Sequence, residues 1–111
     1  MKTKVVVTGL GAVSPLGLDV ESTWAAAAGG KSGVGPITRF DASHHETKFA
    51  AEVKGFDAEA LFGRKDTRRM DRFTQYAVAA TGQAIKDANL QVTDGNRDRI
   101  AGGVDDARNF D

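Results

Sequence analysis

The sequence has no cysteine, only two prolines and one tryptophan, and no excess of charge of either sign. Without cysteine there is no disulfide, no thiolate metal ligand and no cysteine nucleophile in this chain. Fifteen Lys and Arg balance fifteen Asp and Glu, which argues against a nucleic-acid or anionic-membrane partner, since both require an unbalanced basic surface. No run approaches the roughly 18 apolar residues of a membrane span, and no signal peptide is recognisable. We therefore expect a cytoplasmic protein.

Small residues are abundant instead. The 111 residues include 13 glycines and 17 alanines, so few large side chains remain to build a core. The length is below the roughly 150 residues of a typical domain. These figures allow a small globular domain, and they fit a part of a larger body equally well.

The apolar pattern predicts an α/β protein in the order strand, helix, strand, short helix, long helix, incipient strand. The valines of residues 5–7 indicate a strand buried on both faces, and residues 31–36 are expected to form a linker. The remaining expected elements are a helix opened by Asp19 and ended by Gly29 and Gly30, a strand between 47 and 53 with one apolar face, a short turn capped by Asp57, a long helix over 71–89, and a strand from Arg99.

The long predicted helix carries a stripe of mostly small side chains. The stripe runs from Phe73 through Ala77, Ala80, Ala84 and Ala88, at the spacing of one helix face. Because small side chains let a neighbour come near, the stripe predicts that another helix or a sheet packs closely against this helix.

Two glycine-containing segments resemble nucleotide-binding motifs, but each lacks a glycine at a position that its motif requires. Gly9 and Gly11 follow a predicted strand, but Ser14 occupies the position of the third glycine of the dinucleotide fingerprint. Residues 30–32 read Gly-Lys-Ser, but Ala25 stands where a P-loop requires glycine. We therefore expect no cofactor.

A pair of histidines has acidic neighbours. His44 and His45 lie beside Asp41 and Glu46. Adjacent side chains of an extended loop point to opposite sides, and no third ligand stands at a suitable spacing. We interpret this stretch as a solvated loop and expect no metal site.

A cluster of cations precedes the long helix. Its members are Arg64, Lys65, Arg68, Arg69 and Arg72. In a helix Lys65, Arg68 and Arg69 would share one face, at positions i, i+3 and i+4. The cluster is either an anion-docking surface or an ordinary solvated face paired with Asp66 and Asp71, and composition alone favours the second.

Five segments in order carry a family resemblance. They are Val-Val-Val-Thr-Gly-Leu-Gly-Ala-Val-Ser-Pro-Leu-Gly (5–17), Glu-Ser-Thr-Trp (21–24), Gly-Lys-Ser-Gly-Val-Gly (30–35), Arg-Phe-Asp (39–41) and Arg-Arg-Met-Asp-Arg-Phe (68–73). Over residues 3 to 100 the chain resembles the β-ketoacyl-[acyl-carrier-protein] synthases, most closely the elongating type of bacterial type II fatty acid synthesis.

This resemblance implies a thiolase-like fold, layered α-β-α-β-α, which is incomplete in this chain, and a homodimeric complete enzyme. Family members are acyltransferases that condense an enzyme-bound acyl group with malonyl-carrier protein and release carbon dioxide. Their cysteine nucleophile and two histidines lie downstream of the matched region, so we expect no catalytic residue here and no activity of this chain alone.

The resemblance also implies a partner. In the family the basic patch before the long helix receives the acidic acyl carrier protein, and the matching positions are Lys65, Arg68 and Arg69. We expect residues 1–100 to be the amino-terminal portion of a synthase domain and residues 101–111 to be a divergent polar tail. The alternatives are a non-catalytic carrier-protein-binding fragment and a fragment of a polyketide-type condensing domain.

Overall fold

The structure is a computed structural model that describes residues 2–100. Over these residues the elements are the helices α1 (Val20–Ala28), α2 (Ala58–Arg69) and α3 (Arg72–Asp87), the strands β1 (Val34–Pro36) and β2 (Phe49–Ala51), and a 3₁₀ helix (Arg97–Arg99). The chain divides into two compact units. One unit is residues 13–56, and the described part of the other is residues 2–12 with 57–100. The mixed helix and strand content agrees with the expected α/β class.

Helix α1 begins and ends where its capping residues predict. The Asp19 carboxylate accepts the Ser22 amide at 2.8 Å, which satisfies one free donor of the first turn. At the other end Gly30 takes the left-handed conformation, with φ of 74°. The amides of Gly30 and Lys31 then donate to carbonyls of the last turn at 3.1 and 2.9 Å, forming a Schellman motif.

Strands β1 and β2 form a two-stranded antiparallel sheet, with Val34 opposite Ala51 and Pro36 opposite Phe49. The linker prediction for residues 31–36 was therefore wrong. Glycine and proline obscure the strand pattern, but a proline is tolerated in a strand that lies at the edge of a sheet.

The prediction of which face of the second strand is buried was wrong as well. Phe49 and Ala51 are exposed, whereas Ala50 between them is half-buried. The alternation of apolar and charged side chains therefore does not mark the covered face. Which face of the strand is buried depends on tertiary contacts, and the alternation within a three-residue strand does not determine these contacts.

Glu52, directly after β2, holds the segment that follows β1. Its carboxylate accepts the Thr38 hydroxyl at 2.8 Å and the amides of Thr38 and Arg39 at 3.3 Å. The Arg39 Nε lies 3.9 Å away. The hydroxyl bond from Thr38 is the main cause that lowers the pKa of Glu52, and the two amides and the Arg39 charge act in the same direction against partial desolvation.

Lys54 connects three parts of the same unit. Its ammonium donates to the carbonyls of Glu52 at 2.9 Å, Gly33 at 3.1 Å and Pro15 at 3.5 Å. An ammonium has three N–H donors. The Lys54 side chain can therefore bond at once to the loop before α1, to the residue before β1 and to the residue after β2.

The valines of residues 5–7 do not form the predicted buried strand. Val5, Val6 and Val7 are 91%, 74% and 78% exposed, and no strand is assigned to them. Among the described residues no other strand lies in their unit. A β-branched run forms a strand only where a partner strand accepts its backbone hydrogen bonds.

The segment that follows the valines crosses α3. The Leu10 amide donates to the Asp87 carboxylate at 3.0 Å, and the Ala12 amide donates to Gln83 Oε1 at 3.0 Å. Residues 9–12 are thus held by two side chains one helical turn apart, and their alternate backbone amides are satisfied without a sheet.

Only glycine fits at two positions of this crossing. A Cβ added to Gly9 would lie 2.6 Å from the Ala88 nitrogen, and one added to Gly11 would lie 2.8 Å from the Ala84 nitrogen and closer still to the Ala80 carbonyl. The close approach expected from the alanine stripe is therefore confirmed, but the approaching element is the irregular glycine-containing segment, where a helix or a sheet was expected.

The end of α3 agrees with the prediction, and the following segment does not. Asn89 adopts a left-handed φ of 52°, and the chain leaves the helix there. Residues 97–99 form a 3₁₀ helix, where a strand was expected from Arg99. Ile100 is extended, and residues 101–111 lie outside the described part.

Only Ala42 and Phe62 are buried apolar residues in the described part of the chain, each in a different unit. Large apolar side chains that remain exposed include Trp24 at 71% and Phe73 at 72%. Each unit is therefore held mainly by caps, short loops and close backbone contacts, with little fully enclosed apolar volume.

Replacing Gly11 by alanine should destabilise its unit by roughly 1–3 kcal/mol, since the new methyl group meets the α3 backbone, which cannot move aside as a side chain would. Equilibrium urea denaturation of the chain measures the effect. Gly35→Ala is the matched control, because nothing lies within 4 Å of a Cβ there. Equal stability of the two variants would contradict the close crossing.

Glu52→Gln should destabilise residues 13–56 in a pH-dependent way. The lowered pKa of Glu52 means that its contribution is complete above the ordinary value of 4.5 and is lost as pH falls through the folded value. The stability difference from the parent chain should therefore shrink below pH 4.5 in urea titrations. Glu46→Gln, the same substitution at an exposed position, is the matched control. A difference that grows on acidification would contradict this assignment.

Candidate functional site

Residues 64–69, named here the basic segment, form the second half of α2. Gly63, with φ of 80° and ψ of 162°, interrupts the helix before them, and Met70 is extended after them. The first half of α2 starts at Asp57, whose carboxylate accepts the Ala60 amide at 3.2 Å. The predicted cap is confirmed, and the predicted short turn is followed by a second helical turn that carries the cations.

The geometry of the basic segment is fixed by bonds at both ends. The Thr67 hydroxyl donates to the Gly63 carbonyl at 2.7 Å. At the other end Gln75 of α3 donates through Nε2 to the carbonyls of Thr67 at 3.3 Å and Met70 at 3.2 Å. The Gln75 side chain thus supplies a donor to the Met70 carbonyl and a second donor to the Thr67 carbonyl, which also accepts the Met70 amide at 3.3 Å.

Lys65, Arg68 and Arg69 are all exposed, and their helical spacing places them on one face. Among residues 2–100, none of the three forms a salt bridge, and neither Asp66 nor Asp71 pairs with any cation. The internal pairing that would make the cluster an ordinary solvated face is therefore absent from the described residues.

The electrostatics of the basic segment favour an anionic partner. It carries four cations and one carboxylate, Asp66, within six residues. Arg68 and Arg69 lie in the last turn of α2, where cations complement the negative end of the helix dipole. At physiological salt the field extends about 8 Å, so the surface can attract a large acidic partner without a pocket.

The two nucleotide-like motifs serve structural purposes. At Gly9 to Ala12 the amides of Leu10 and Ala12 are bonded to α3 side chains. In residues 30–32 the amides of Gly30 and Lys31 cap α1, and the Ser32 hydroxyl accepts the Val34 amide at 3.1 Å. Amides engaged in this way cannot cradle a phosphate.

The histidine pair lies in a turn without a ligand set. The His45 ring meets Phe40 edge-on, with ring centres 5.6 Å apart. The Ser43 hydroxyl and amide bond to the Asp41 carboxylate and lower its pKa. Within residues 2–100 no three His, Asp or Glu side chains group in a way that could hold a metal ion.

Some residues that shape the site gave no recognisable sequence signal. Gln75 supports the basic segment from α3, and Gln83 and Asp87 hold the crossing segment. A glutamine on a helix face has no distinctive pattern, since its partners are carbonyls and amides distant in sequence. The cations, by contrast, were recognisable from composition and helical spacing.

The comparison with protein families is consistent with this arrangement. The model of the β-ketoacyl synthase amino-terminal domain matches residues 2–105, which is most of the chain. The chain belongs to the β-ketoacyl synthase family.

Three curated relatives carry the same name. The chain is 50% identical over 99 residues to the 3-oxoacyl-[acyl-carrier-protein] synthase 2 of Synechocystis sp.. It is 48% identical over 99 residues to that of Vibrio cholerae, and the Staphylococcus aureus protein of the same name is 47% identical over 97 residues. The matches cover 87–89% of this chain and 23–24% of each relative, so the chain spans about a quarter of their length.

A solved family structure has a similar backbone. The ishigamide ketosynthase/chain length factor superposes with a TM-score of 0.69 at 40% identity, over 78% of this chain and 21% of that one. The superposed part of this chain is therefore similar in backbone to about a fifth of a solved ketosynthase chain. Among the described residues, no helix is both long enough and apolar enough to cross a bilayer.

Replacing Gln75 by alanine should remove the side-chain donor of the Met70 carbonyl and the second donor of the Thr67 carbonyl, and so destabilise the α2–α3 junction by about 1 kcal/mol. Hydrogen exchange should then accelerate selectively at the amides of residues 64–70. Gln91→Ala is the control, because its exposed side chain makes no hydrogen bond among the described residues. Unchanged exchange in the basic segment would contradict the supporting role of Gln75.

Proposed function

We propose that this chain is the amino-terminal part of a β-ketoacyl-[acyl-carrier-protein] synthase of fatty acid elongation, and that its basic segment docks the acidic acyl carrier protein. The acyltransferase chemistry is the decarboxylative condensation of an acyl group with malonyl-carrier protein. The cysteine and histidines that the family resemblance implies for this step lie downstream of the matched residues.

The docking proposal rests mainly on one observation, which is that the cations of the basic segment are unpaired in the part of the chain that the structure describes. Lys65, Arg68 and Arg69 are exposed on one helix face and make no ion pair within the described residues. Individual surface ion pairs contribute only about 0–1 kcal/mol, so the segment would mainly accelerate encounter and fix the orientation of the carrier. The bonds from Gln75 keep this face helical, and a helical face serves orientation better than an irregular loop.

The larger assembly is part of the proposal. We place residues 1–100 in a thiolase-like synthase domain of layered α-β-α-β-α architecture, in an enzyme that forms a homodimer. The exposed valines of residues 5–7 and the exposed Trp24 support this placement, because large apolar side chains at such exposure are suited to burial by further protein.

A polyketide-type condensing enzyme is the second candidate, and the 40% identity to the ketosynthase/chain length factor favours it in part. The identity to the three 3-oxoacyl-[acyl-carrier-protein] synthases is higher, at 47–50%. We therefore prefer fatty acid elongation. Both candidates use an acidic carrier protein, so the docking proposal is common to them.

Arg68→Glu should weaken binding of an acidic acyl carrier protein about tenfold at low ionic strength, because a cation becomes an anion at the centre of the docking face. The difference should diminish as salt rises toward 1 M, where the screening length is about 3 Å. Titration calorimetry with purified carrier protein measures both.

The matched control is Arg99→Glu, which makes the same change of net charge at an exposed position outside the basic segment. It should bind the carrier nearly as the parent chain does. Unchanged affinity of Arg68→Glu at low salt, or an equal loss in both variants, would overturn the docking proposal.

A further inference from the structure

Thr67 lies in the middle of the basic segment, and in the sequence it is the hydroxyl residue with the most cations near it. Arg64 and Lys65 precede it by three and two residues, and Arg68 and Arg69 follow it directly. No other serine or threonine of the chain has four cations within three positions. A hydroxyl with this charge pattern matches the acidic substrate clefts of basophilic protein kinases, which select substrates by charge.

We propose that Thr67 is a phosphoacceptor, and that its phosphorylation by a basophilic protein kinase discharges the basic segment. The effect on carrier docking rests on the function proposed above, whereas the acceptor role of Thr67 does not.

The local structure permits access to this hydroxyl. The basic segment is a six-residue helical stretch between Gly63 and Met70, which are both non-helical. Isolated helices shorter than about 12–15 residues are marginal in water, so this one depends on the Thr67 hydroxyl bond and on Gln75. Thr67 is half-buried, and opening these few bonds exposes it at lower cost than unfolding the unit.

The chemical step requires a nucleoside triphosphate with its magnesium ion, held by the kinase. Thr67 Oγ1 attacks the γ-phosphorus, and the bond from that phosphorus to the β,γ-bridging oxygen breaks. The hydroxyl proton passes to a carboxylate of the kinase, and the nucleoside diphosphate leaves. The product is a phosphate monoester on Thr67.

The modification changes the segment in two ways. The ester oxygen can no longer donate to the Gly63 carbonyl, so the bond at the helix break is lost. The phosphate adds about −1.5 to −2 charges in the last turn of α2, where a negative charge opposes the helix dipole. Arg64, one turn before Thr67, lies on the same side of the helix and can pair with the phosphate. The added negative charge also lowers the net positive charge that the segment presents to a partner.

Incubation of the full 111-residue chain with Mg-ATP and a purified basophilic Ser/Thr kinase tests the acceptor role. Mass spectrometry should place one phosphoryl group on Thr67, and Thr67→Val should abolish it. Arg64→Gln should slow incorporation about tenfold, because it removes the cation three residues before the hydroxyl. Labelling only after unfolding in urea, or preferential labelling of Thr74, would overturn the proposal.

Two binding measurements test the discharge. The phosphorylated chain should elute from immobilised poly-L-glutamate at lower salt than the parent chain. Elution at the same salt concentration would contradict the proposal that phosphorylation removes positive charge from the basic segment. The affinity of the phosphorylated chain for acidic carrier protein should fall about tenfold at low salt. If the parent chain binds the carrier and phosphorylation leaves that affinity unchanged, the proposed effect of phosphorylation on carrier docking is wrong. If the parent does not bind the carrier, the docking function fails, and the labelling and elution results still decide the role of Thr67.

Discussion

The crossing of residues 9–12 over α3 is the contact on which the larger unit depends. It brings the amino-terminal segment onto a helix far along the chain through the amide bonds of Leu10 and Ala12. The contact requires small residues on both sides, since Gly9 and Gly11 lie against the alanine stripe. Backbone packed closely against backbone leaves no room for larger side chains, so few other residues can replace the glycines and alanines of this contact.

The same helix that receives the crossing also supports the candidate docking face. At its first turns α3 contributes Gln75, which bonds the end of α2, and at its last turns it contributes Gln83 and Asp87 to the crossing segment. A single rigid helix therefore connects the two features. The basic segment is displayed by a short stretch of α2 whose geometry is determined by the neighbouring helix more than by its own propensity.

The sequence was most informative where the governing interactions are local. Asp19, Gly30 and Asn89 set helix ends through bonds within a few residues, and the structure places the ends of α1 and α3 accordingly. The sequence was least informative for strands. Neither the pairing of β1 with β2 nor the exposure of Phe49 follows from the local pattern, because strand formation depends on partners distant in sequence.

The sequence by itself determined the family, the ends of α1 and α3, the small-residue face of α3 and the identity of the clustered cations. The tertiary structure decided what approaches that face, and it showed that Asp66 and Asp71 leave the cations unpaired within the described residues. The reason is the range of the forces involved. Capping and helical spacing act over one turn, whereas ion pairing and close packing depend on which atoms the folded chain brings together.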